Sequence, residues 1–194
     1  MKALNRIRAR LGLCFDADAA QIVELAVSLP LLAVLFVGTY DFGQAFNFKQ
    51  KLVATTREAA RLAANQPTTD LSDSSTGNCS APASICAIRD LIHTNLQNNN
   101  MDDCGLGSTN ANTTTTWTFE FDASTGCGGN TFQVVINRGY PYNVNSNFVV
   151  EATQVRMSYP YQWQFNRVIQ VLIPSANYAA VMPIGTSAVM QNLN

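Results

Sequence analysis

The sequence predicts an α+β protein: one long N-terminal helix, apolar in its first half and amphipathic in its second, laid with two short helices on a small antiparallel sheet. Three observations carry this reading. The run over residues 22–40, IVELAVSLPLLAVLFVGTY, holds a single charge, Glu24. Apolar residues then recur at spacings of three, four and seven as far as Ala63, which is the period of a helix with one buried side. Beyond residue 110 the pattern changes to alternation of apolar and polar residues between Gly-rich and Pro-bearing breaks, which is the period of half-buried strands.

Taken as an α-helix rising about 1.5 Å per residue, the apolar run covers about 28 Å, close to the hydrocarbon thickness of a bilayer. Lys2, Arg6, Arg8 and Arg10 precede it and Asp41 follows it. The positive-inside bias therefore keeps residues 1–21 in the cytoplasm, sets 22–40 across the membrane and exports everything after them. A buried core helix fits less well, because from Leu25 to Tyr40 the only polar side chains are Ser28, Thr39 and Tyr40. A cleaved secretory signal has a small-x-small site at Gly43-Gln44-Ala45, but the helical pattern runs straight through it. A plain membrane anchor shares every feature except Glu24.

Residues 41–66 read as the amphipathic continuation, so that 22–64 form one helix. Phe42, Ala45, Phe46, Val53, Ala60 and Ala63 supply its apolar side; Asp41, Gln44, Lys51, Arg57, Glu58 and Arg61 fill much of the rest. It should end near Ala64, with Asn65 in a left-handed C-cap and Pro67 blocking continuation. Residues 67–194 then form one extracytoplasmic domain. Within it, 68–78 read as an exposed loop. Ile88, Leu91, Ile92 and Leu96 give a short helix that stops in Asn98, Asn99 and Asn100.

The Asn/Thr stretch 110–116 leads into strands. Trp117, Phe119 and Phe121 alternate with Thr118, Glu120 and Asp122, and Phe132, Val134 and Ile136 repeat the pattern after the Gly-rich turn 126–130, which makes a hairpin. A third strand is expected over 153–159, ended by Pro160. Phe165, Val168, Ile169 and Leu172 read as a short helix stopped by Pro174, and 184–190 as the last strand.

Charged residues make up only 13% of the 194, with net charge −1. A phosphate-binding surface needs a basic excess, so no nucleic-acid partner is expected. Of five cysteines, Cys79, Cys86, Cys104 and Cys127 fall in the exported domain, an even number that suits two disulfides in an oxidising compartment. Cys14 lies before the span as a free thiol. The sequence leaves the pairing open, although Cys79 with Cys86 and Cys104 with Cys127 would close the shortest loops. Structural zinc usually comes with tighter knuckle spacings, so no metal is expected.

The sequence holds no catalytic constellation. His93, the only histidine, has no nucleophile pattern near it and reads as a satisfied surface or core residue. Asp102 and Asp103 lack the alternating oxygen ligands of a calcium loop and read as solvated turn residues. Asn78 and Asn112 fit the glycosylation pattern formally, in a chain where Asn and Thr are frequent. Tyr140, Tyr142, Tyr161 and Trp163 either mark a contact surface or fill the sheet core, the latter being the default. No cofactor is expected. Glu24 stands out, since a carboxylate near the end of an apolar helix is costly in lipid. It either snorkels to the headgroups or pairs with a neighbouring chain's cation and so sets subunit register. Pro30, six residues further on, removes a backbone donor and bends or loosens the helix there.

Residues 19–61, AAQIVELAVSLPLLAVLFVGTYDFGQAFNFKQKLVATTREAAR, closely resemble the signature segment of the TadE-like proteins of tight-adherence (Flp-type) pilus systems. The shared marks are Glu24 at the head of the span, the Leu29-Pro30 step, the Asp41-Phe42-Gly43 exit and the Arg57-Glu58-Ala59-Ala60-Arg61 end. Tyr159-Pro160-Tyr161 also looks like the family's exported half. The resemblance implies a pilin-like fold and a minor pilin or pseudopilin without catalysis. Such a protein is held in the inner membrane, trimmed by a prepilin peptidase, and packs by its helix with other pilins and the assembly platform. In related pilins the acidic residue falls five positions after the cut. Carried over, the cut lies between Ala19 and Ala20 and Glu24 is the subunit-pairing residue, with Ala19 standing where that pattern usually has Gly. The alternative reading is a membrane-anchored extracytoplasmic binding module for a glycan or partner protein, which needs neither Glu24 nor a cut. An anchored enzyme would need a convergent polar site.

Overall fold

The computed structural model describes residues 2–73, 79–145, 148–163 and 181–193, with side chains described from Ala19 onward and not at 145 and 148. Helix α1 (Lys2–Asn65) is followed by a 3-10 turn (Thr69–Ser72), helix α2 (Ala83–Asn98), a second 3-10 turn (Leu106–Ser108) and strands β1 (Asn112–Thr115), β2 (Thr118–Ala123), β3 (Phe132–Asn145), β4 (Phe148–Gln162) and β5 (Val181–Gln191). The strands form one sheet in the order β1-β2-β3-β4-β5, every neighbouring pair antiparallel. The architecture is α+β, with the long N-terminal helix packed on a five-stranded antiparallel sheet. Among the described residues the chain divides into two units, 2–43 and 44–163 with 181–193.

In the first unit α1 runs unbroken through Pro30. Its few hydroxyls are satisfied within the helix: Ser28 Oγ donates to the Leu25 carbonyl (3.3 Å) and Thr39 Oγ1 to that of Leu35 (2.9 Å). Residues 19–65 are long and apolar enough to include a membrane span.

In the second unit, α1 contributes Leu52, Ala59, Ala60 and Ala63 to the core, all fully buried. Alanines at these positions let the helix axis lie close to its neighbours, and α2 adds Ile85, Ile88, Ile92 and Leu96 at the expected helical spacing. The sheet supplies Phe119 and Phe121 from β2, Phe132, Val134 and Ile136 from β3, and Val155 and Met157 from β4. Register makes one face of these residues: Phe121 opposes Val134, which opposes Met157, and Phe119 opposes Ile136, which opposes Val155. Two cystines brace this core: Cys79–Cys86 ties the loop before α2 to the start of that helix, and Cys104–Cys127 ties the loop after α2 to the β2–β3 turn.

The structure corrects several sequence expectations. Asn65 is the last residue of α1 and does not adopt a positive φ; its Nδ2 instead donates to the Arg61 carbonyl (3.0 Å). The left-handed asparagine is Asn100 (φ 54), after α2. The segment expected as an exposed loop contains a 3-10 turn with Leu71 buried. The Thr-rich stretch is itself an edge strand, β1, and Trp117 lies in the turn before β2, 40% exposed. Pro160 does not end β4. It stands opposite Pro183 of β5, past the last β3–β4 pair at Gln133–Ser158, so neither proline withholds a donor from a ladder. The helix expected around Phe165 to Leu172 lies outside the described residues.

Candidate assembly site on the long helix

On the first half of α1, Ala19, Ala20 and Glu24 are all exposed. Ala20, Glu24 and Ser28 recur at intervals of four, so the small side chains flank the carboxylate along one side. A groove of about 680 Å³ results, lined by Ala19, Ala20, Val23, Glu24, Val27, Ser28 and Leu31. Around the rest of the cylinder Leu25, Leu32, Leu35 and Phe36 are exposed at 60, 65, 68 and 74%. Asp41, expected on the solvent side, is buried, with 2% exposure.

The second half of α1 presents a different face from the one the period predicts. Ala45, Leu52, Thr56, Ala59 and Ala63 turn inward, whereas Phe46 is 64% and Phe42 71% exposed. Two of the charges expected on its open surface instead clamp α2: Lys51 Nζ donates to the Asn99 carbonyl at the end of that helix (3.1 Å), and Glu58 Oε2 accepts from Asn95 Nδ2 (2.8 Å). Lys49, Gln50 and Arg57 remain outward with Phe46 and Val53.

Other polar groups that the sequence singled out are structural. His93 Nδ1 lies 2.8 Å from Asp103 Oδ2, and that carboxylate also accepts the Gly107 N–H (3.1 Å). Burial raises the Asp103 pKa, but the Gly107 N–H, the His93 bond and charge, and the Gly105 N–H together hold it below the ordinary 3.8. Asp102 Oδ1 accepts the Cys104 N–H (2.9 Å). Asp102, Cys104 and Cys127 cluster within 4.8 Å, and both sulfurs of that group are tied in a cystine. Burial, with Asp102 and Asp103 nearby, pushes the Tyr159 hydroxyl up to about 12. Asn112 lies on β1, and Asn78 outside the described residues. Of the four aromatics, Tyr142 is 50% exposed, while Tyr161 packs its ring against Phe48 (5.4 Å) and Trp163 (5.3 Å).

Two residues that the sequence reading passed over hold the second unit together. Asp70 accepts the Ser84 N–H (2.9 Å) and hydroxyl (3.0 Å), capping α2 from a distance where the local N-cap, Pro82, has no capping side chain. Arg138, fully buried, donates from Nε to Thr153 Oγ1 (3.1 Å) and from Nη2 to the Gln66 carbonyl just past α1 (2.7 Å). Thr153 Oγ1 donates in turn to Asn192 Oδ1 (2.6 Å), Asn192 Nδ2 to the Arg138 carbonyl (3.0 Å), and the Leu193 N–H to that of Ala64 (3.3 Å). A signal for Arg138 was present: it continues the inward phase of Phe132, Val134 and Ile136.

A helix apolar enough to span a membrane, with one carboxylate near the head of its apolar run and an α+β domain packed on its second half, defines an α+β protein with one candidate membrane span. Within it, residues 19–61 match the family model described as TadE-like protein, the stretch that holds both Glu24 and the Arg57–Arg61 end. No curated protein and no solved structure matches the chain. The TadE-like family is a structural one associated with tight-adherence pilus systems, and the match points to involvement in such a system. The family and the apolar helix together fit a membrane location.

Proposed function

We propose that this chain is a minor pilin or pseudopilin of a tight-adherence pilus system, acting through subunit packing of its long helix. In this reading residues 1–21 are cytoplasmic, 22–40 cross the inner membrane, 41–66 continue the helix and 67–194 form the exported domain. A prepilin peptidase cuts between Ala19 and Ala20, and Glu24 pairs with the new N-terminal ammonium of a neighbouring pilin. Such a pair in low dielectric favours one stagger of subunits over others, because a mismatched carboxylate is left in lipid uncompensated. The observation that carries the proposal is the TadE-like match lying on a helix whose apolar surface is open and whose exposed carboxylate is flanked by small residues.

The test is N-terminal sequencing of the membrane-bound form, with co-purification of partner pilins by wild type and Glu24→Ala. We expect a terminus at Ala20, insertion unchanged by Glu24→Ala and co-purification reduced. A second reading, the anchored binding module, draws on a dish on the outer sheet face lined by Gln133, Arg156, Ser158 and Ser187 among others, about 590 Å³ in volume. An uncut terminus with unchanged co-purification favours that module.

A further inference from the structure

The β3–β4 hairpin outruns its sheet. β2 pairs with β3 only as far as Asn137, and β5 with β4 only as far as Ala152, yet β3 and β4 continue to pair through Pro141–Glu151, Tyr142–Val150, Asn143–Val149 and Asn145–Phe148. Past these limits, among the described residues, no third strand pairs with them, although the Asn192 N–H still donates to the Glu151 carbonyl (3.2 Å), and the two strands form a ribbon about 17 Å long at about 3.4 Å per residue. The ribbon leaves the domain at the end where α1 finishes. Arg138, on β3 just before it, reaches the Gln66 carbonyl, whereas the opposite end of the β3–β4 pair meets α1 early, with Tyr159 and Phe48 rings 4.6 Å apart. A lone two-stranded ribbon is marginal in water. This one exposes Tyr142, Val144 and Val149 at 50, 58 and 59%, and Glu151 is the only charge between residues 139 and 152.

The same domain carries a surface complementary to that ribbon. Phe46, Lys49, Gln50, Val53, Ala54 and Arg57 line a shallow groove on α1, about 350 Å³ in volume. Its apolar floor is Phe46 and Val53, and its two charges are the outward cations Lys49 and Arg57, which form no ion pair among the described residues. The groove lies on the first turns of the packed half of α1 and the ribbon beyond its last turn, so the two do not meet within one molecule.

We propose that the β3–β4 ribbon of one copy docks in the α1 groove of a second copy. Val149 and Glu151 share a ribbon face, by the two-residue period of a strand. Val149 packs on Phe46 and Val53 while Glu151 sits between Lys49 and Arg57. The contact joins unlike surfaces, so a pair keeps one free groove on the first copy and one free ribbon on the second, and the pairing repeats from copy to copy, as a ring or an open row according to its rotation. It is small, and it acts between chains that a membrane or fibre already holds side by side, where effective concentration replaces intrinsic affinity. It does not depend on Glu24 or on processing.

The experiment uses full-length chains in membranes, in a Cys14→Ser background. One copy carries Val149→Cys and a differently tagged second copy carries Val53→Cys, linked with a short bismaleimide. We expect a heterotypic dimer that Glu151→Lys on the first copy reduces about fivefold, as for loss of one partly exposed ion pair. Lys49→Glu with Arg57→Glu on the second copy should restore it, which also excludes misfolding as the cause of the loss. Absence of the heterotypic dimer, a yield indifferent to the charge reversals, or linkage only to a different membrane protein would each overturn the proposal. A heterotypic dimer formed by chains with an uncut N-terminus upholds the contact and counts against the processing reading alone.

Discussion

In the first half of α1, Leu25, Leu32 and Leu35 are 60, 65 and 68% exposed, while in the second half Leu52 is fully buried against α2 and the sheet. The residue type and the helix are the same in both places. What differs is whether the described residues downstream supply a cover, and burying one leucine side chain is worth roughly 1.5–3 kcal/mol. The second half therefore belongs energetically to a water-soluble fold. The first half leaves its apolar surface for a solvent other than water or for another chain.

The largest expected effect breaks this contrast at matched residues. Leu52→Ala should lower the stability of the 44–193 domain by about 2–5 kcal/mol through lost contacts and a residual cavity, whereas Leu32→Ala should leave that domain's melting unchanged. Denaturant unfolding followed by tryptophan fluorescence, with a membrane-retention assay in parallel, checks both. Next in size, replacing Cys104 and Cys127 by alanine opens a 23-residue separation and should cost about 3 kcal/mol, against about 2 for the 7-residue separation of Cys79 and Cys86. Neither change should alter membrane retention.

Smaller effects sharpen the comparison within the folded domain. Asp70→Ala should cost about 1 kcal/mol, because the Ser84 N–H loses its cap, and amide exchange should rise in the first turn of α2 before it rises in α1. The smallest is acid sensitivity at Asp103. Its pKa is depressed in the fold, so the stabilisation is complete above about pH 4 and is lost as pH falls through the folded value. Thermal melts of the wild type should therefore fall with acid more steeply than those of Asp103→Asn, while the first half of α1, without a partner in that network, shows no such dependence.

Helix α1 from residue 22 onward, helix α2, the β2–β3 hairpin and β5 were legible from the pattern of apolar residues, although α1 begins at Lys2, twenty residues before the expected start. Sequence period did not reveal which side of the second half of α1 turns inward. Phe42 and Phe46 satisfy it as well as Ala45 does, but close approach of the helix to its neighbours selects Ala45, Ala59, Ala60 and Ala63. Edge strand β1 was hidden because Thr and Asn fill loops as readily as they fill an exposed strand. Pro160 misled because its tolerance depends on where β3 stops: the last β3–β4 pair is Gln133–Ser158, so no partner strand calls for a donor at residue 160, and the sequence of β4 does not show this. Glu24 stood out by chemistry alone and Ala19–Ala20 only through the family resemblance, whereas the tertiary roles of Lys51, Glu58, Asp70 and Arg138 rest on partners far along the chain.

That dependence has a counterpart in time. The Leu193 N–H closes on Ala64, and Asn192 spans Thr153 and the Arg138 carbonyl, so the end of the helix is secured by residues made much later. At synthesis rates of about 5–20 residues per second, roughly 6–26 seconds separate the two ends of this clasp. During that interval Leu52 and the alanine face wait for the strands that will cover them. A chain that stops short of residue 192 lacks this clasp on Ala64, Thr153 and Arg138.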